Sequence, residues 1–127
     1  MSLIAQALAA RKFARAPYSK FKVGAALESV DGRVFTGCNI ENASYGLTMC
    51  AERVAIFKAL SEGVKKFRQI AVVTSAKKLT PPCGACRQLI WEFCGDIPVI
   101  MANTKGAQET LQMKDLLPRA FDDRNLS

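Results

Sequence analysis

The chain has 127 residues, 50% apolar and 23% charged, which suits one globular domain and excludes a disordered polypeptide. No apolar run approaches the roughly 20 residues a bilayer span requires, so no membrane partner is expected. A formal charge of +7 raises the question of nucleic acid, but the Lys and Arg are scattered, with short clusters only at Lys65, Lys66 and Arg68 and at Lys77 and Lys78. The excess therefore reads as solvated surface.

Leu3, Ile4, Ala7 and Leu8 recur at helical spacing and predict a first helix reaching about Ala14. Residues 1–10 carry no cationic stretch, so this segment is read as helix rather than secretory signal. After Pro17-Tyr18-Ser19, residues 23–29 and 34–39 read as two strands joined by a turn at Asp31-Gly32. A polar loop over residues 41–48 leads to a second helix with one face at Ala55, Ile56, Ala59 and Leu60, closed by Gly63. Ile70 to Thr74 is a short β-branched run, hence a buried strand. A loop follows over residues 75–82. A third helix is expected from Cys83 to about Cys94, with Leu89, Ile90 and Phe93 on its inner face. Residues 98–102 and 110–113 read as the last strands, and Leu116-Leu117-Pro118 opens a tail ending near Phe121. The order α-β-β-α-β-α-β-β predicts an α/β fold: a single domain over residues 1–127, with a roughly five-stranded mixed sheet covered by helices on both faces.

The chemistry-bearing residues are unusual in kind. There is no histidine, and five cysteines stand at 38, 50, 83, 86 and 94. Without a secretory signal the expected compartment is cytoplasmic and reducing, where clustered cysteines point to metal or catalysis rather than disulfides. Two motifs sit at predicted helix starts: Cys50-Ala51-Glu52 and Pro82-Cys83-Gly84-Ala85-Cys86. Positions 83 and 86 are i and i+3, close enough to share one zinc, and Cys50 would supply a third thiolate. Three ligands leave the open position that a catalytic zinc needs for water. Glu52 then stands beside that water as a proton carrier, and Arg53 can donate to the sulfurs. Three thiolates plus zinc would lower the charge from +7 to +6. Two other readings of the same residues stay open, a structural zinc with a fourth ligand such as Cys38, and a redox pair at Cys83 and Cys86. Cys94 lies about 12 Å along the helix from Cys86 and is excluded as a ligand.

At these motifs the sequence resembles the zinc deaminases, whose signature includes a three-cysteine variant ending in P-C-x-x-C. The wider text is similar to the small homotetrameric cytidine deaminases, through residues 16–21, residues 37–45, Cys50-Ala51-Glu52-Arg53, residues 82–88 and Leu116-Leu117-Pro118. The resemblance implies hydrolytic deamination of free cytidine and deoxycytidine, with one zinc per subunit on Cys50, Cys83 and Cys86 and Glu52 as proton shuttle. It further implies that Asn39 and Glu41 bind the ribose 3′-hydroxyl, that the Ala51 amide meets the pyrimidine carbonyl and that Phe21 packs on the base. Tyr45 and Phe121 would complete a neighbouring subunit's pocket in a homotetramer. Expected alternatives are a blasticidin-type antibiotic deaminase and, less favoured, a polynucleotide deaminase; the short chain leaves little length for a strand-binding groove. A closed four-ligand binding module is the non-enzymatic alternative.

Overall fold

The computed structural model describes residues 1–126. Four α-helices and five strands follow in the order α1 (Leu3–Arg11), β1 (Gly24–Ser29), β2 (Val34–Cys38), α2 (Ala51–Ser61), β3 (Phe67–Thr74), α3 (Gly84–Cys94), β4 (Pro98–Asn103), β5 (Gln108–Gln112) and α4 (Met113–Leu116). Single 3-10 turns lie at Tyr45–Leu47 and Asp123–Leu126. The strands form one sheet in the order β2-β1-β3-β4-β5. Only β3 and β4 run parallel, and α3 is their crossover; the other pairs are antiparallel. Among the described residues, no helix is long and apolar enough to cross a membrane.

Alternation along the strands sorts side chains onto two faces. Ala25, Leu27, Phe35, Ile70 and Val99 pack against α2 and α3 in the larger core, which Met113 and Leu116 of α4 extend. Ala26, Ala71, Val73 and Ala102 face α1, where Leu3 and Ala7 close a smaller core. The second face is built from small residues, so α1 lies close to the sheet. A side chain at Gly24 would place its Cβ 2.0 Å from the Ala7 carbonyl oxygen. The first face has an equivalent close approach, and there it bears on the helix that carries Cys50-Ala51-Glu52. A Cβ at Gly37 would stand 2.4 Å from the Ala51 oxygen and 2.7 Å from the Ala55 nitrogen, both backbone atoms that cannot turn aside. Gly37→Ala is therefore expected to lower stability by about 1–3 kcal/mol, the usual range for overpacking, and to shift the start of α2. Chemical denaturation of the variant beside the parent checks this; equal midpoints would show that the helix has room to lift.

Several boundaries differ from the sequence reading. α1 stops at Arg11 because the chain must turn to bring Arg15 beside the segment after β2. There the Arg15 amide donates to the Asn39 carbonyl at 2.9 Å and the Glu41 amide to the Arg15 carbonyl at 2.8 Å. β3 begins three residues early, at Phe67, since pairing with β1 extends through Ser29 opposite Phe67. Met113, expected in the last strand, is instead the buried first residue of α4. On α3 the buried stripe runs through Cys86 and Ile90, whereas Phe93 is largely exposed and meets Phe57 edge to face.

Candidate active site

The N-termini of α2 and α3 converge on one cavity. Cys50 and Cys83 occupy the N-cap positions of the two helices, both with extended backbone and neither capping with its own side chain. A thiolate there faces the positive end of the helix dipole. Cys86 follows one turn into α3 and is fully buried; Cys50 is half-buried and Cys83 exposed. The three sulfurs lie within 4.8 Å of one another, and Cys50 and Cys83 are 3.9 Å apart. Tetrahedral zinc–thiolate bonds of about 2.3 Å put sulfurs roughly 3.8 Å apart, so this donor set fits zinc. Among the described residues these three form the one group placed to hold a metal ion; Cys38 and Cys94 stand outside it. That removes the sequence's open option of a fourth ligand from Cys38.

Charge around the sulfurs is organised by Arg53, whose Nη2 donates to the Cys50 sulfur at 3.0 Å. Its Nε is buried without a hydrogen-bond partner. Cys50 is pushed down to about 5, chiefly because the Cys86 thiol hydrogen-bonds to it and then because Arg53 does. The same shared proton, together with burial, holds the Cys86 thiol far above its ordinary value. Glu52, in the first turn of α2, is 5% exposed. Burial pushes its carboxyl up to about 7, with the nearby Cys50 thiolate adding to the rise and Arg53 opposing it.

The cavity these groups share has a volume of about 280 Å³, and Phe21, Asn39, Glu41, Cys50, Ala51 and Glu52 all line it. Every pocket residue expected from the sequence within a single subunit thus meets in one place. Phe21 stands at 37% exposure at the rim, not in the core. Asn39 is oriented by two backbone partners: its Oδ1 accepts from the Val23 amide at 2.9 Å and its Nδ2 donates to the Phe21 carbonyl at 2.8 Å. Glu41 accepts from the amides of Tyr18 and Ser19 at 3.0 and 3.1 Å and from the Ser19 hydroxyl. The Ser19 contacts, hydroxyl first, hold its carboxyl below the ordinary carboxylate range. Ala51 is the first residue of α2, so helix geometry leaves its amide without an intrahelical acceptor.

Tyr45 and Phe121 do not reach this cavity within the subunit. Both are exposed, at 73% and 58%, and Tyr45 stacks edge to face on Tyr18 beside the mouth. Sequence reasoning passed over Ser19, Thr48, Thr80 and Pro81, which also line the cavity. Thr80 and Pro81 belong to the loop with Lys77 and Lys78, whose backbone is pinned when Asn103 Nδ2 donates to the carbonyls of Ala76 and Lys77. No local pattern announces these residues, because only the tertiary fold brings the loop over the site.

Comparison with known proteins points one way. Residues 1–102 match the family model described as the cytidine and deoxycytidylate deaminase zinc-binding region. The chain is 52% identical over 126 residues to a cytidine deaminase of Sporosarcina psychrophila, spanning 98% of this chain and 93% of that protein. It is 51% identical over 126 residues to one from Halalkalibacterium halodurans, spanning 98% and 96%. The crystal structure of cytidine deaminase from Burkholderia pseudomallei superposes with a TM-score of 0.92 at 50% identity, covering 95% of this chain and all of that one.

Proposed function

This chain belongs to the cytidine and deoxycytidylate deaminase family, and we propose that it hydrolyses the C4 amino group of free cytidine and deoxycytidine, releasing ammonia and the uridine product, as a step of pyrimidine salvage. It is a zinc-dependent hydrolase with one ion per subunit. The observation that carries the reading is the meeting of three cysteine sulfurs and one buried carboxyl at the wall of a cavity about the size of a nucleoside, lined by Cys50, Cys83 and Glu52.

Zinc bound by Cys50, Cys83 and Cys86 supplies Lewis acidity that makes water nucleophilic near neutral pH. The remaining work falls to the chain's own groups. Glu52 receives a proton on a carboxylate oxygen and returns it to ring N3, so that C4 becomes electrophilic. After the water oxygen bonds to C4, Glu52 takes the remaining proton from the C4 hydroxyl and carries it to the amino nitrogen; the C4–N bond breaks as the C4 carbonyl forms, and ammonia leaves. One carboxyl acts as base and then as acid. Its near-complete burial keeps the proton from bulk water. The Ala51 amide is placed to meet the pyrimidine carbonyl, Phe21 to pack on the base, and Asn39 and Glu41 to hold the ribose 3′-hydroxyl. Because backbone groups already fix both of these side chains, little orientational freedom is lost when substrate binds.

The whole chain would act as one catalytic domain in the cytoplasm and as a homotetramer. In that assembly the exposed rings of Tyr45 and Phe121 would close a neighbouring copy's cavity, which accounts for two large aromatics standing in solvent on a lone subunit. Purified protein mixed with cytidine, with deoxycytidine and with a single-stranded oligonucleotide provides the test. A fall in cytosine absorbance is expected with both nucleosides and not with the oligonucleotide. Turnover on the oligonucleotide alone, or on neither nucleoside, would reverse the reading.

A further inference from the structure

The C-terminal segment is fastened to α3 by three side chains on one arc of that helix. Arg87 Nη1 donates to the Leu116 carbonyl at 2.8 Å, Gln88 Nε2 to the Phe121 carbonyl at 2.6 Å, and Trp91 Nε1 to the Asp122 carboxylate at 3.0 Å. Arg87 also donates to the Pro82 carbonyl at 2.8 Å, immediately before the metal-binding Cys83. The last of the three tail contacts ends on a buried group. Asp122 is 8% exposed, although it sits between exposed Phe121 and the terminal 3-10 turn. One oxygen of its carboxylate accepts from the Arg124 amide at 3.0 Å, and the other meets the Arg124 guanidinium at 2.6 Å. Its own amide donates to Asn125 Oδ1 at 2.9 Å. A carboxylate so enclosed, one residue after a ring that stands in solvent, is an anchor for that ring's backbone.

We propose that Asp122 is a positioning residue for the reaction: by gripping Trp91 it holds the segment that presents Phe121, and so sets nucleoside affinity without touching substrate. The proposal rests on the reading that Phe121 closes a neighbouring copy's cavity. Because the latch grips the helix that begins at Cys83, the ring and the metal centre of one subunit share a rigid mount. Neither Asp122 nor Trp91 lines the cavity, so their effect should fall on binding rather than on the chemical step.

Steady-state kinetics with cytidine on zinc-loaded Asp122→Ala, Asp122→Asn, Trp91→Phe and Phe121→Ala test this, together with the emission of the chain's single tryptophan. For Asp122→Ala we expect KM to rise about tenfold, the scale of one charge-assisted hydrogen bond, with kcat within about twofold of the parent. One zinc per chain should remain, and Trp91 emission should shift to the red as the tail lets go. Asp122→Asn keeps one acceptor oxygen and should fall between the two. Trp91→Phe keeps the ring and loses only the donor, so a raised KM there reports the bond even if the alanine variant folds poorly. A parental KM in both Asp122→Ala and Trp91→Phe, with KM raised in Phe121→Ala, would overturn the latch and leave the role of Phe121 standing. A parental KM in Phe121→Ala itself would overturn both that role and the proposal built on it.

Discussion

Glu52→Gln is expected to cut turnover by at least about 10²-fold, the general scale for a positioned acid–base group, while zinc stays bound at one per chain. The amide matches the carboxyl in shape, so the cavity and the three sulfurs are left as they are; what disappears is the ability to take up a proton and release it again. The buried position sharpens the expectation, since Glu52 itself is only 5% exposed and little solvent reaches it to substitute as a proton carrier. Stability should move the other way. In the zinc-free protein, a carboxyl whose folded pKa of about 7 lies above its ordinary 4.5 supports the fold fully below about 4.5 and loses that support as pH rises through 7. The Gln variant has no charge to bury, so above neutral pH it should melt no lower than the parent. Turnover and metal content of the loaded variant, with thermal melts of the zinc-free proteins at two pH values, check both halves. Near-parental turnover would remove Glu52 from the proton path.

Cys83→Ala should lose zinc and activity together. Cys83 is the most informative of the three sulfurs because it is exposed, so its removal opens no hole in the core. Two thiolates bind zinc far more weakly than three, and a purified variant should carry only a small fraction of one ion per chain. Cys94→Ala is the control. Burial pushes that thiol up to about 12, the mark of an inert packing residue, and zinc should be retained in full. Full zinc in Cys83→Ala would mean that the metal has other ligands.

The layout of the sheet was legible because its signals are local. The two strand segments around Asp31-Gly32 announce a hairpin, and Gly63, read as the close of α2, has positive φ. Cys50 and Cys83 were legible as helix starts, and their spacing with Cys86 carried the metal reading before any fold was known. What escaped depends on residues distant in sequence. Ser19 reads as part of a helix stop, yet its hydroxyl belongs to Glu41, twenty-two positions on. Trp91 carries no local signal of its partner, and its nitrogen belongs to Asp122, thirty-one positions on. Phe21 is expected at the base only through the family resemblance; its place at the cavity comes with the Asn39 side chain, which donates to its carbonyl.

The placement of the three sulfurs reaches beyond catalysis into how the molecule comes apart. Cys50 and Cys83 are separated by 33 positions, and the interval contains all of α2 and all of β3. An ion gripped by both closes that interval into a ring and ties the helix–sheet unit of the first half to the crossover of the second. The two halves stay tied until one sulfur lets go, so the loaded protein should unfold more slowly than the zinc-free one, and a chelator should shorten the lifetime of the native state.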